Sequence, residues 1–175
     1  MSNTIEIESL SPGNFDDHLA DLGALLNACV LEGASVNFVL PHSLDDSFAF
    51  WSDKVRPALL AGGRIVLVAK ADGRVAGSVQ LDCDTPPNQP HRAEVAKLLV
   101  HPGFRRRGIA RALMVEIEKH ARQQDRSLIT LDTASDGAER LYLSLGYQRV
   151  GAIPGFAKDP LVDRFDATTI MFKTL

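Results

Sequence analysis

The chain of 175 residues predicts a mixed α/β fold of about seven strands and four helices. Three observations carry this expectation. Stretches whose apolar residues alternate with period two are interleaved with stretches whose apolar residues recur at three- and four-residue spacing. Turn and helix-stop signals, Asp72-Gly73, Gly62-Gly63 and Gly146 among them, fall between those stretches. No repeat, low-complexity tract or linker divides the sequence, so a single domain over residues 1–175 is expected.

Taken in order, Ile5 to Leu10 alternates and reads as a strand. Ser11-Pro12 opens a helix with Phe15, Leu19, Leu22, Leu26, Cys29 and Val30 as its apolar stripe. Glu32 to Phe38 is a loop. Ser43 and Asp46 have capping-box spacing and start a second helix through Phe48, Trp51, Val55 and Leu59, which Pro57 should kink or end. Arg64 to Lys70 and Arg74 to Leu81 are strands joined by a tight hairpin, with Val75, Gly77, Val79 and Leu81 on one face. A strand from Arg92 to Val100 leads to a helix with Ala110, Leu113, Met114, Ile117 and Ala121 on one face. Leu128 to Thr133 is a strand. Asp136 and Glu139 can cap a helix carrying Ala138, Leu141, Tyr142 and Leu145. Tyr147 to Ile153 is a strand, Pro154 to Asp166 a loop, and Thr168 to Lys173 a last strand.

With 45% hydrophobic and 23% charged residues the chain is ordinary globular protein, and a formal net charge of −3 favours neither nucleic acid nor an anionic membrane. No apolar run approaches the ~20 residues of a membrane span. The start, Met1-Ser2-Asn3-Thr4, lacks the basic and apolar regions of a signal peptide. Two cysteines without metal spacing and five scattered histidines lead to the expectation of no metal site and a reduced, cytoplasmic protein.

The chemistry concentrates between Arg92 and Gln124. A strand, a basic turn (Arg105-Arg106-Arg107-Gly108) and a helix make a recipe for holding phosphates. Free N–H groups at a helix start carry partial positive charge, glycine admits a close ligand, and arginines add fork-shaped donors. A solvated basic turn is the competing reading.

Leu98 to Ala110, with its Arg-Arg-Gly-Ile-Ala core, resembles the acetyl-CoA signature of the GNAT superfamily of N-acetyltransferases. Ala138-Glu139-Arg140-Leu141-Tyr142-Leu143-Ser144-Leu145-Gly146-Tyr147 is similar to that family's second signature. Gly33-Ala34-Ser35-Val36, Arg92-Ala93-Glu94-Val95, Leu131-Asp132-Thr133 and the ending Phe172-Lys173-Thr174-Leu175 resemble the tabtoxin-resistance subfamily. The resemblance covers nearly the whole chain. It implies a mostly antiparallel sheet with splayed central strands, acetyl-CoA as co-substrate, and a small-molecule primary amine as acceptor, in a monomer or homodimer.

It also implies site residues. The backbone of Leu98, Leu99 and Val100 would pair with pantetheine, with an N–H near Leu99 facing the thioester. Arg105, Arg106, Arg107, Gly108, Ile109 and Ala110 would cradle the pyrophosphate. Ser135 stands where the family often has an asparagine that contacts pantetheine. Tyr142 would be the general acid for the thiolate, against the alternative of a core aromatic. Asn37, Phe38 and Trp51 would line the acceptor pocket.

Glu94 and Asp132 are candidates for the proton acceptor, because carboxylates within or at the end of apolar strands need a partner, water or a function. An ion-paired Glu94 and a turn-capping Asp132 are the plain alternatives, and a direct base is not separated from one acting through water. Period two puts Glu94 on the side of Leu98. A non-catalytic acyl-CoA-binding regulatory module is the second functional reading.

Overall fold

The structure is a computed structural model and describes residues 4–175. A seven-stranded sheet has the order β1-β2-β3-β4-β5-β7-β6. Its strands are β1 (Ile5–Ser9), β2 (Arg64–Ala71), β3 (Arg74–Asp82), β4 (Arg92–Val100), β5 (Leu128–Thr133), β6 (Gln148–Lys158) and β7 (Phe165–Thr174). All neighbours are antiparallel except β4 and β5. The mixed α/β, mostly antiparallel sheet expected from the sequence is therefore present.

Helices cover both faces. The first is α1 (Phe15–Leu31). The second helical rod comprises α2 (Leu44–Phe50), a π-helical turn (Trp51–Val55) and α3 (Arg56–Leu60). These pack on one face with Val66, Val68, Val75 and Leu99. The other face receives α4 (Ile109–Gln123) and α5 (Asp136–Ser144), which pack on Leu67, Val79, Leu81, Val95, Ile129, Leu131 and Met171.

Several local expectations change. Ser11 to Asn14 form a turn closed by Ser11 N–H donating to Asn14 Oδ1 at 2.7 Å, so α1 starts at Phe15 and Pro12 lies before it. The Ser43–Asp46 capping box forms. Pro57 does not end its helix: it enters the first turn of α3, and the preceding π turn absorbs the missing donor. Ser135, rather than Asp136, caps α5, accepting from Ala138 N–H at 3.3 Å. Strand β6 runs through Pro154, where an edge strand tolerates a residue without N–H, so the loop before β7 is shorter than expected.

Two bulges alter which residues share a face. In β3 the register shifts opposite Ala69–Lys70, and Val75 joins the α1 side while Val79 and Leu81 join the α4 side. In β4 one residue is inserted around Lys97, which takes φ 51°. Ala93 and Val95 face α4 before the bulge, and Leu98 and Val100 lie against that core after it, whereas Leu99 faces α1. Glu94 and Leu98 therefore point to opposite sides of the sheet. The period-two expectation fails here because an extra residue inverts the alternation.

Candidate active site

Strands β4 and β5 pair only over Arg92–Glu94 and Leu128–Thr130, and then they part. Past that point each strand keeps its outer partner, β3 and β7 respectively. The result is a V-shaped opening in the middle of the sheet, part of a cleft of about 930 Å³.

The strand edge along this opening has a defined polarity. His101 N–H donates to Ala76 O on β3 at 2.9 Å. Alternation along an antiparallel pair sends the Leu99 N–H the same way and turns the Leu98 and Val100 amides toward the opening. The expected donor near Leu99 is thus one residue to either side of it. The Val100 carbonyl also faces away from β3, where it accepts from Cys29 Sγ at 3.5 Å. Burial pushes the Cys29 thiol up to about 11, so it remains a protonated donor.

At the wide end stands the N-terminus of α4. Gly108 adopts φ 82° at the N-cap and contributes no side chain to the first turn. A Cβ there would meet nothing within 4 Å, so the space beside the first-turn N–H groups is open. Arg105, Arg106, Gly108, Ile109 and Ala110 line the cleft, together with Arg111. Arg107 does not. Its guanidinium bonds Asp72 in the β2–β3 hairpin at 2.8 and 3.3 Å and lies 5.2 Å from the Phe104 centroid. Arg111, which the sequence reading omitted, donates to Ser144 Oγ at 2.7 Å and ties α4 to α5 across the opening.

Tyr142 and Ser135 approach from α5. Tyr142 lines the cleft with its ring buried, and its hydroxyl has no hydrogen-bond partner among the described residues. Burial first, then the Asp132 charge, holds it well above the usual tyrosine range. It is a neutral O–H donor with an unused hydrogen. Ser135 also lines the cleft, but its oxygen is engaged as the α5 cap. Tyr147 is core, as expected.

The α1 side of the cleft gathers the other candidates. Glu94, Lys97 and Asp132 line it. Asp132 accepts from Thr168 Oγ1 at 2.7 Å, and Glu94 has a 3.5 Å contact from Arg92. Both carboxylates are exposed. Asn37 lines the cleft from the 32–41 loop. Phe38 packs against Phe50 at 5.3 Å and His42 at 4.8 Å, forming a wall behind it. Trp51 does not reach the cleft: it is fully buried beneath α1, because its π turn rotates it into the core.

The chain ahead of β7, which carries no motif in the sequence, closes this side. Asp159, Pro160, Arg164 and Asp166 line the cleft, and Leu40 N–H donates to Pro160 O at 3.3 Å, joining the two loops. Lys97 and these residues carried no spacing signal, since a bulge and a long-range loop contact bring them in.

Comparison with known proteins agrees with this geometry. Residues 31–147 match the model of the acetyltransferase (GNAT) family. An uncharacterised N-acetyltransferase encoded in the hisH-hisA intergenic region of Azospirillum brasilense is 31% identical over 132 residues, which span 74% of each chain. Human N-acetyltransferase 8 is 34% identical over 103 residues, 57% of this chain and 45% of that protein. Among solved structures, an N-acetyltransferase from Staphylococcus aureus Mu50 superposes with TM-score 0.76 at 17% identity, covering 98% of both chains. The Salmonella typhimurium protein yncA, solved with its cofactor acetyl-CoA, gives TM-score 0.76 at 20% identity over 99% of this chain and 95% of its own. The family match and the Azospirillum relative show it, and the shared overall fold agrees: the chain belongs to the GNAT family of acetyltransferases.

Proposed function

We propose that this protein transfers an acetyl group from acetyl-CoA to the primary amine of a small molecule, directly and without an acetyl-enzyme. The observation that carries this is the split between β4 and β5, which leads from an uncapped helix start past Tyr142 to a pair of carboxylates. Each part fits one part of the donor. First-turn amides of α4 with Arg105 and Arg106 suit a pyrophosphate. The edge amides of Leu98 and Val100 suit the amides of a pantetheine arm, which would lie along β4 as an added strand.

Acetyl-CoA supplies the activated acyl thioester. Within the opening, an edge amide of β4 donates to the carbonyl oxygen as charge develops on it. Glu94 or Asp132 takes the amine proton, directly or through water. Burial and then the Asp132 charge raise the proton affinity of Tyr142. Tyr142 O–H donates to the departing sulfur. Holding the amine and thioester together supplies much of the rate, since the reaction becomes effectively unimolecular. The likeness to the tabtoxin-resistance subfamily supports an amino-acid-like acceptor of the antibiotic or toxin type.

The test is calorimetric titration with acetyl-CoA, then thiol release across a panel of amines that includes β-lactam amino acids and polyamines. Saturable acetyl-CoA binding and amine-dependent release of CoA are expected. A protein that does not bind acetyl-CoA refutes the assignment. Binding without release across the whole panel instead favours an acyl-CoA-binding module. Glu94→Gln and Asp132→Asn separate the bases: the residue that takes the proton loses about 10²- to 10⁴-fold in kcat.

A further inference from the structure

The α1 side of the cleft contains a cation without a counter-ion. Lys97 occupies the β4 bulge, and its Nζ lies 5.9 Å from the Phe38 ring centroid and 5.6 Å from that of Phe50. It makes no ion pair and no hydrogen bond among the described residues. Its cationic neighbours are all committed. Arg164 bonds Asp159 at 3.0 Å and Asp166 at 2.8 Å. Arg64 bonds Asp82 and Gln80. Arg92 bonds Gln89 at 2.7 Å and Thr130 at 3.1 Å.

Withdrawing an ammonium from water without an anion is costly, and two aromatic faces offset only part of the loss. Burial, and then Arg64, draws Lys97 below the usual lysine range, while Asp132 and Glu94 act weakly in the opposite sense. A side chain held this way is short of one negative group. The cleft in front of it is open, and on the same side stand two exposed carboxylates, Asp132 held by one Thr168 hydroxyl and Glu94 by one 3.5 Å contact from Arg92, whose remaining lone pairs can accept from an ammonium.

We propose that Lys97 binds an anionic group of the acceptor, so that the acceptor is a small amino-acid-like zwitterion: its amine lies at Glu94 and Asp132, its carboxylate at Lys97. This rests on the acetyl-transfer reading above. It separates acceptors by charge. A diamine would set its second ammonium against Lys97, and a neutral amine would leave the Lys97 charge unmatched.

The experiment compares matched acceptors, each an amino acid and its carboxamide, with acetyl-CoA and thiol detection. Wild type is expected to favour the acids. Lys97→Met should lower kcat/KM for the acid about 30-fold more than for the carboxamide, mainly through KM, as the loss of a charge-assisted contact predicts. Lys97→Arg should keep most of the preference. Equal losses for both members, or a wild-type preference for carboxamides, overturn the proposal. Thermal melts establish that each variant is folded.

A second measurement needs no turnover. The CoA-loaded protein is titrated calorimetrically with N-acetyl amino acids, the products of the reaction, and with their carboxamides. Tighter binding of the anionic products, lost in Lys97→Met, supports the site. If no N-acetyl amino acid binds, the anion site is refuted, while carboxamide or diamine acetylation still upholds acetyl transfer. A protein that binds no acetyl-CoA refutes both.

Discussion

Gly77 on β3 lies directly beneath Ile109 at the start of α4. A Cβ at position 77 would fall 2.9 Å from Ile109 Cγ2 and 2.8 Å from the Leu99 carbonyl oxygen. This contact sets the height of the α4 N-terminus above the splayed strand, and so links the core to the proposed pyrophosphate site. Gly77→Ala must displace backbone rather than a flexible tip. It is expected to cost about 1–3 kcal/mol of stability, as overpacking does. Acetyl-CoA affinity should fall about tenfold, since first-turn donors tolerate little displacement. Urea unfolding and calorimetry read the two effects separately.

Tyr142 offers a clean separation of stability from chemistry. Its hydroxyl makes no hydrogen bond among the described residues, so removing the oxygen strands no partner. Tyr142→Phe should keep unfolding free energy within about 0.5 kcal/mol of wild type. Turnover should fall about 10²-fold if the hydroxyl donates to the leaving thiolate. Unchanged kcat under conditions where chemistry limits the rate would remove Tyr142 from that role.

Alkaline stability should depend on two tyrosines. Burial is the main cause that raises both Tyr142 and Tyr147 above the ordinary value of 10.0. The unfolded chain ionises near the ordinary value and the native one does not, so proton loss favours unfolding. The contribution of the two tyrosines is therefore full below about pH 10 and declines as the pH rises beyond it, after a smaller decline that begins near pH 9 because the Cys29 thiol, raised from 9.0 to about 11, ionises first in the unfolded chain. Urea midpoints measured from about pH 8 to 11 should be flat and then fall, and Tyr147→Phe should shallow the fall.

The three arginines of the basic turn should behave differently. Arg105 and Arg106 line the cleft, whereas Arg107 is held by Asp72. Arg105→Ala and Arg106→Ala should each weaken acetyl-CoA binding about three- to tenfold at low salt, and less at high salt. Arg107→Ala should stay within about twofold, because its guanidinium is held by Asp72 outside the cleft lining. A larger loss at Arg107 than at Arg106 would contradict the arrangement.

Local pattern determined much of this protein. Hairpin chemistry at Asp72-Gly73, the Ser43–Asp46 capping box, the extent of β4 and the strand–turn–helix around Gly108 all follow from neighbours in sequence, since caps, turns and amphipathic faces are short-range effects. The two signatures, about thirty residues apart, were enough to indicate a family and its cofactor end. Tertiary structure decided what no local period contains. One extra residue at Lys97 put Glu94 and Leu98 on opposite faces, because a bulge inverts every side chain beyond it. The π turn sent Trp51 into the core, the hairpin drew Arg107 away, and the loop before β7 brought Arg164 to the acceptor side. The parting of β4 and β5 after three paired residues is likewise a property of the whole sheet, where each strand holds its outer partner more extensively than its inner one.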